Sequence, residues 1–530
     1  MKATTIAAIV IAMLGIPLIF AWKYTAPVLE QHALTQSSDA VQSKGTVAVG
    51  VDNFIGYYPL CSPHLRTLMR AEGYEFTCID DEADYVGRFQ KVKEGKLPFA
   101  VATVDSYELK ALQSQYPGLF ITVIDHSQGA DGAVACNEKV KNIDDLKHGG
   151  LKVAFAPGTA SEHLIKVVAT QFDIPQLRSA DKSWRVETKS SAEAAKKCLD
   201  GSVDVAVMWE PDITKTLKRN PKASKLIGTD FSPNVVMDIL IVRREYASAH
   251  PNVVKMVLRR YFETLYYYRQ HPDTAIAHAL DYVNASTPVD ARLTEGDVKK
   301  AMEGVRWVNL AENATLEFGI AEPGPGIPPK YGLIEAIVGT ARILTDAGDF
   351  TMDPSHRPPD DARLMIQSGF VKELYETGLA SGETVDTNNA NSLSRQFAEL
   401  TNPQWQQMKE IGTLRVRPVN FQTGSDDLLL EAKENIDHIV EAIKNYPSAR
   451  IVIEGHTSTR GDSNENLVLS QDRADSVAKY LQVTYQVDPN RIHAVGLGGV
   501  KPLVQNAGES NREYLNRLPR VVVKLVREEL

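Results

Sequence analysis

The sequence has few cysteines and no long run of basic residues, and both shortages narrow the range of functions. Its four cysteines show neither C-x-x-C spacing nor a Cys/His pattern, so no zinc site is predicted. The formal net charge is −9, which argues against nucleic acid as a partner. The sequence also lacks a nucleophile elbow and a Walker-type loop, so we expect neither an enzyme nor a cofactor.

The cysteines leave two interpretations open. All four lie between residues 61 and 198. In an oxidising compartment they would pair as Cys61–Cys78 and Cys136–Cys198, and otherwise they would be buried thiols. The sequence favours neither interpretation.

An uncharged, mostly apolar segment occupies residues 3–22, with Lys2 before it and Lys23 after it. About 20 residues, each rising about 1.5 Å, span the roughly 30 Å of a bilayer core. A cleaved signal peptide is the alternative, but no small-x-small cleavage site precedes Lys23. We therefore predict a transmembrane signal anchor over residues 1–23 and a flexible tether over 24–44.

The remaining residues are too many for one core and predict about three domains in the whole chain. Short apolar strands alternate with helical stretches from Gly45 onward, with strands predicted at 46–51, 99–103, 152–155 and 204–208. This alternation predicts α/β layers with helices on both faces of the sheets. Residues 251–310 are predicted to be mostly helical, and a polar linker is expected at 376–412.

Polar and aromatic side chains follow several of these strands, where α/β sheets bind ligands. Thr159 and Ser161 precede or begin a helix, so they either bind an anionic group or simply cap the helix. Phe54 and Tyr57 line a cleft or pack in the core. Three acids among the candidates disfavour a bare anion and suit an amine, a cation or a polyhydroxyl solute. The other candidate solute-binding residues are Thr103, Asp105, Ser106, Trp209, Glu210 and Asp212.

Several segments in order along the chain resemble periplasmic solute-binding proteins of the nitrate/sulfonate/taurine class. They are 50–60, 131–134, 143–147, 153–161 and 204–211. The resemblance implies that residues 45–375 form a type II solute-binding domain, with two α/β lobes hinged over a cleft that binds an unknown small solute.

Residues 413–530 contain a second set of motifs: Asn420-Phe421, Glu454-Gly-His-Thr457 and Asn466-x-x-Leu469-Ser470-x-x-Arg473-Ala474. Together they resemble the OmpA-like peptidoglycan-binding domain, which has a βαβαβ order with a trailing strand. The predicted strands are 414–421, 449–454, 491–495 and 520–526, and the predicted helices are 427–445 and 464–482.

The resemblance assigns the residues that would bind peptidoglycan. In this family an Asp takes the ammonium of diaminopimelate and an Arg takes its carboxylate through a planar two-donor fork. Arg473 holds the Arg position, but Ser458 stands where the family has Asp, which should weaken binding by about 1–3 kcal/mol. Asp462 is a candidate to replace the missing charge. The other matched positions are Thr457, Asn466, Leu469 and Ser470.

Taken together, these features predict a single-pass inner-membrane protein with most of its chain in the periplasm. It would bind a small solute and attach to peptidoglycan, acting as a sensor or an envelope scaffold with membrane-protein partners. A subunit of an ABC importer is the alternative, ranked lower because attachment to the wall would hinder docking on a permease. An enzyme on the same fold is the least favoured interpretation.

Overall fold

The computed structural model describes residues 42–178, 181–232, 235–285, 287–324, 329–350, 362–385, 396–422 and 424–528. The strands in these segments form three sheets of six, five and four strands. In chain order they are β1 Gly45–Val51, β2 Tyr74–Asp80, β3 Phe99–Thr103, β4 Gly118–Ser127, β5 Asp131–Ala135, β6 Val153–Phe155, β7 Arg185–Glu187, β8 Val205–Trp209, β9 Ser224–Gly228, β10 Met237–Arg243, β11 Val305–Trp307, β12 Lys409–Thr413, β13 Arg450–His456, β14 Ile492–Gly496 and β15 Arg520–Arg527.

Helices cover the faces of these sheets. Most begin at a Ser, Thr, Asp or Asn whose side chain accepts an amide hydrogen bond, or have Pro in the first turn. The α-helices are Pro63–Ala71, Tyr85–Lys93, Val104–Lys110, Ala160–Gln171, Pro175–Arg178, Ser191–Leu199, Asp212–Arg219, Arg244–Ala249, Pro251–Gln270, Pro272–Asn284, Glu295–Glu303, Leu310–Glu312, Gly332–Asp346, Gly369–Glu376, Asn402–Gln407, Leu430–Lys444, Ser463–Tyr485 and Asn511–Arg517.

The first two sheets build two lobes. The first lobe contains the sheet β11-β4-β10-β3-β1-β2, and the second lobe contains the sheet β7-β6-β8-β5-β9. The chain passes between the lobes from β4 to β5 and again from β9 to β10. In the first lobe, β1 runs parallel to β2 and β3, whereas β10 runs antiparallel to β3 and β4. The predicted mixed α/β fold with two lobes is confirmed.

The C-terminal domain contains the third sheet, in the order β12-β15-β13-β14. The predicted strand 414–421 is wrong, because the sheet uses β12 instead. The amide of Leu414 still donates to Val523 O, but the amide of Arg415 donates to Gln171 O in the second lobe, which draws the chain away from the sheet. The helix Asn511–Arg517, absent from the prediction, starts with a capping box between Ser510 and Glu513.

The second lobe and the C-terminal domain share one continuous apolar core. Phe172 and Tyr446 are both fully buried, with ring centroids 5.6 Å apart. The carboxylate of Asp144 accepts hydrogen bonds from the amide and the hydroxyl of Thr413, at 3.1 and 2.8 Å. The predicted linker 376–412 lies partly outside the described residues, and its last part supplies β12 to this junction.

The predicted inner-membrane location is contradicted. No helix in the described ranges combines the length and the apolar character needed to cross a bilayer. The longest described helix, Ser463–Tyr485, has 23 residues but carries charged groups such as Glu465, Arg473 and Lys479 along its length. The predicted anchor at 1–23 and most of the tether at 24–44 lie outside the described residues.

Both cysteine pairs form disulfides, which resolves the choice left open by the sequence. Cys61–Cys78 joins the turn before the helix Pro63–Ala71 to β2, and Cys136–Cys198 lies in the second lobe. No cysteine in the described segments is free.

Removal of either disulfide should lower the free energy of unfolding, because each limits the freedom of the unfolded chain. The double variant Cys136→Ala/Cys198→Ala opens a loop with a sequence separation of 62 and should lose about 4 kcal/mol. Cys61→Ala/Cys78→Ala opens a loop of 17 and should lose about 3 kcal/mol. Urea unfolding with and without reductant measures both, and wild-type stability in either variant would contradict the expectation.

A methyl group at Gly412 should disturb the junction between the second lobe and the C-terminal domain. A Cβ there would lie 2.8 Å from Phe172 Cδ1 and 3.1 Å from Ile143 Cβ. We expect Gly412→Ala to destabilise the junction by about 1–3 kcal/mol and to separate the unfolding of the two parts in calorimetry. Gly339→Ala is the matched control, because its Cβ would meet nothing within 4 Å. A single unchanged transition in Gly412→Ala would show that the two parts are not coupled there.

Candidate functional site

A cavity of about 20 Å³ lies where residues from both lobes meet. It is roughly large enough for one water, so any larger solute requires the lobes to part. Five of the predicted solute-binding residues line it: Phe54, Tyr57, Thr103, Thr159 and Trp209. The lining also includes six residues that the sequence did not single out as candidates: Asp52, Tyr85, Asp131, Ala160, Val236 and Asp238.

The aromatic side chains of the cavity are fixed by their neighbours. Phe54 and Tyr57 pack edge to face with ring centroids 5.3 Å apart. The indole Nε1 of Trp209 donates to Asn53 Oδ1 at 3.1 Å, so this hydrogen bond links the second lobe to the first. Each of the three aromatic side chains is at most 5% exposed. They form preorganised apolar walls.

Two buried carboxylates face each other on neighbouring strands of the first lobe. Asp125 on β4 and Asp238 on β10 are directly paired in the sheet, and the exposed fractions are 0% and 1%. The hydroxyl of Tyr57 donates to Asp238 Oδ1. Burial raises the pKa of both acids well above the ordinary value, and the charge of Asp125 adds to the shift at Asp238. Burial and mutual repulsion therefore favour a proton or a cation on this pair.

Two further acids complete the lining. Burial raises the pKa of Asp131 to about 7, against the opposing effect of a hydrogen bond from Ser127. Asp52 lies 3.2 Å from Arg88 Nη2. Arg88 is fully buried and also bonds Asp81 through two nitrogens, so its charge is already compensated. Among the described residues that line the cavity, acidic side chains therefore outnumber basic ones.

The other predicted solute-binding residues lie near the cavity but do not line it. Ser106 bonds the hydroxyl of Thr103 at 2.6 Å, and Asp105 is buried beside it. Ser161 is fully buried within the helix that Thr159 caps, so the capping interpretation of Thr159 holds. Thr159 also lines the cavity, so it caps the helix and remains available to a solute.

Glu210 and Asp212, the two acids that follow β8, lie in different surroundings. Glu210 accepts hydrogen bonds from the amide and hydroxyl of Thr214, at 3.0 and 2.9 Å, and burial raises its pKa to about 7. Asp212 lines a different cavity of about 820 Å³, which Asn53 also borders. The hydrogen bond between Asn53 and Trp209 thus lies between the two cavities.

Some of the acids that the sequence analysis did not select as candidates could have been predicted from the sequence, and others could not. Asp52 and Asp131 fall inside segments that already carried the solute-binding resemblance, so their position after or at the start of a strand was a usable signal. Asp125 and Asp238 are 113 residues apart (238 minus 125), and only the antiparallel register brings them together. A local sequence pattern therefore cannot predict that the two acids are paired.

In the C-terminal domain Arg473 is held in a defined orientation. Its guanidinium carbon lies 4.9 Å from the ring centroid of Phe421, and its Nε donates to Ser425 O at 3.1 Å. Its two terminal nitrogens have no hydrogen-bond partner among the described residues. Partial burial lowers the pKa of Arg473, whereas the charge of Asp426 acts in the opposite direction. The side chain therefore presents a charged two-donor fork.

The other residues predicted to bind peptidoglycan mostly form hydrogen bonds with nearby backbone groups. Ser458 Oγ accepts from the amide of Arg460 at 3.1 Å. Asp462 caps the helix Ser463–Tyr485, because its Oδ1 accepts from the amides of Asn464 and Glu465. Asn466 Nδ2 donates to Arg460 O at 2.8 Å.

The remaining predicted peptidoglycan-binding positions are buried or half-buried. Ser470 Oγ donates to Leu467 O and accepts from the amide of Gly498, at 2.7 and 2.8 Å. Thr457 is buried, and Leu469 is half-buried. Ser458 leaves the family Asp position without a carboxylate.

Comparison with known proteins agrees with both resemblances. A model described as OmpA family matches residues 420–516, and one described as NMT1/THI5 like matches residues 70–275. Peptidoglycan-binding protein ArfA of Mycobacterium tuberculosis is 34% identical over 105 residues, which are 20% of this chain and 32% of that protein. Probable lipoprotein YiaD of Escherichia coli is 35% identical over 100 residues, 19% of this chain and 45% of that protein. The chain thus spans less than half the length of either curated relative.

Among solved structures, a periplasmic sulfonate-binding protein SsuA from Methylobacillus flagellatus is 16% identical with a TM-score of 0.47. That match covers 65% of this chain and 98% of the other. Both predicted resemblances are confirmed by the family models, which fall on the lobes and on the third sheet respectively. The chain carries an NMT1/THI5-like domain and, C-terminal to it, a domain of the OmpA family.

Proposed function

We propose that this protein binds a small solute between its two lobes and attaches to peptidoglycan through its C-terminal domain. The observation that carries the proposal is the orientation of Arg473, whose terminal nitrogens are free of described partners and whose plane is fixed against Phe421. A fixed guanidinium fork binds a carboxylate through two parallel hydrogen bonds. Diaminopimelate in the peptide stem offers such a carboxylate.

The location of the protein follows from its chemistry and its relatives. Two disulfides persist only in an oxidising compartment. The relative ArfA is named a peptidoglycan-binding protein, and its matched segment is the C-terminal domain of this chain. Both observations support a place in the cell envelope, outside the cytoplasm.

The junction between the second lobe and the C-terminal domain supports a role as a sensor or scaffold. Buried aromatic contacts and hydrogen bonds cross it, including Ser448 Oγ to Asp230 O at 2.6 Å and Arg527 Nη2 to Lys225 O at 2.8 Å. Through these contacts a change in the angle between the lobes moves the wall-binding domain as well. The binding-protein fold and the OmpA family together favour a protein without catalytic activity.

Restoring the family carboxylate should strengthen attachment to the wall. In Ser458→Asp, a charged acceptor would take the ammonium of diaminopimelate while Arg473 takes the carboxylate. We expect about tenfold to hundredfold tighter binding of the full chain to purified peptidoglycan sacculi in a sedimentation assay. Arg473→Ala should abolish the binding.

The control for added charge is Thr484→Asp, an exposed position near the other end of the helix Ser463–Tyr485. It should leave binding unchanged, so a gain in this variant would point to a general charge effect. Sacculi that bind Arg473→Ala as well as the wild type would refute attachment through this site. Unchanged binding in Ser458→Asp alone would show that the serine is not the weak point.

A further inference from the structure

The cavity between the lobes combines aromatic walls with carboxylates. Its aromatic members are Phe54, Tyr57, Tyr85 and Trp209. Its acidic members are Asp52, Asp131 and Asp238, and in the described part of the chain no Lys, Arg or His lines it. Aromatic faces and carboxylates both attract positive charge, and aromatic cages are a known means of recognising ammonium groups. The lining therefore selects for a cation and against an anion.

Buried oxygens at this site lack hydrogen-bond donors. Asp238 is 1% exposed and lines the cavity, and its Oδ2 has no partner among the described residues. Asp125, opposite it in the sheet, has no donor group bonded to either oxygen among the described residues and contacts the carboxyl of Asp238 instead. Two ionised carboxylates this close are unstable without a compensating proton or cation. An ammonium group entering the cleft would supply the missing donors and charge.

Two basic residues near the cavity, Arg88 and Lys225, do not donate hydrogen bonds to Asp238. Arg88 is fully buried, and its nitrogens bond Asp52, Asp81 and the carbonyl of Val101. Lys225 lies 2.9 Å from Asp230, and its Nζ also donates to Gly129 O. Neither side chain bonds Asp238 in the described structure. The charge of Lys225 acts on Asp131 and that of Arg306 on Asp125, which leaves Asp238 without a basic partner among the described residues.

We propose that the cleft binds an organic ammonium ion, with its charge against Asp238 and Asp131 and its hydrocarbon part against Phe54 and Trp209. The inference rests on the proposed function, that the lobes bind a solute. Primary amines and quaternary ammonium ions share this chemistry. They differ in that a primary amine donates hydrogen bonds to Asp238, whereas a quaternary ion depends on the aromatic faces.

The experiment measures melting temperature and calorimetric binding of the purified full chain with five probes. Putrescine is the primary amine, choline the quaternary ion, ethanesulfonate and acetate the anions, and glycerol the neutral polyol. A ligand that binds only the folded state raises the melting temperature. We expect putrescine or choline to raise it and the other three to leave it unchanged.

The outcomes separate this inference from the proposed function. Stabilisation by ethanesulfonate, acetate or glycerol, without an effect of either amine, overturns the ammonium ligand and leaves solute binding intact. No stabilisation by any of the five probes counts against both. A larger effect of choline than of putrescine assigns the selectivity to the aromatic walls, and the reverse assigns it to the carboxylates.

Variants test the named contacts. Asp238→Asn keeps the shape and removes the charge, and should weaken binding of the active amine about tenfold to hundredfold. Trp209→Leu should weaken it about tenfold, whereas Trp209→Phe retains an aromatic face and most of the affinity. Asp346→Asn, at an exposed position of the helix Gly332–Asp346, is the matched control and should bind normally. Wild-type affinity in both Asp238→Asn and Trp209→Leu would overturn the proposal.

Affinity for choline should rise with pH, because choline itself does not titrate. The pKa of Asp131 is raised to about 7 by burial, and Asp105, Lys225 and Asp52 are the charged groups that act on it, beside the hydrogen bond from Ser127. Below that pH a proton occupies Asp131 and competes with the cation, so binding should tighten between about pH 6 and pH 8 and release protons. Affinity that is flat or falls over this range would contradict carboxylate recognition.

Discussion

The buried contact between the second lobe and the C-terminal domain determines how the parts of this protein act on each other. Phe172 and Tyr446 are both fully buried there, and Gly412 fits against Phe172 because it has no side chain. Thr413 adds two hydrogen bonds to Asp144 across the same surface. Apolar packing excludes water from the junction, and the hydrogen bonds fix its register. One wall of the solute cleft and the proposed wall-binding site thus belong to one packed unit.

The first lobe joins this unit differently. Two crossing segments connect it to the second lobe, together with polar contacts such as the bond between Trp209 and Asn53 and the packing of Ala156 and Trp209 against the first-lobe core. Crossing segments absorb changes of backbone angle more readily than a packed core does. Separation of the lobes therefore leaves the C-terminal junction intact, and the C-terminal domain follows the second lobe. Under the proposed function, opening the cleft would change the position of the C-terminal domain relative to the first lobe.

The sequence predicts the elements that depend on local pattern. Strand β3 has the predicted bounds because its five residues, Phe99–Thr103, form one buried apolar run. The strand expected at 414–421 fails because the amide of Arg415 finds its acceptor in the second lobe, a partner that no local pattern reveals. The candidate site divides in the same way. Aromatic residues after a strand are visible in the sequence, whereas the acid pair depends on the register of two antiparallel strands.

The two proposed binding sites differ in their acidic residues. The cleft is lined by buried acids such as Asp238, and the proposed solute would bring the positive charge. In the C-terminal domain, Ser458 removes an acid, and Asp462 is engaged as a helix cap. Under the proposed function, Arg473 would bind the carboxylate of a stem peptide, and Asp426 is the acid whose charge acts on this guanidinium.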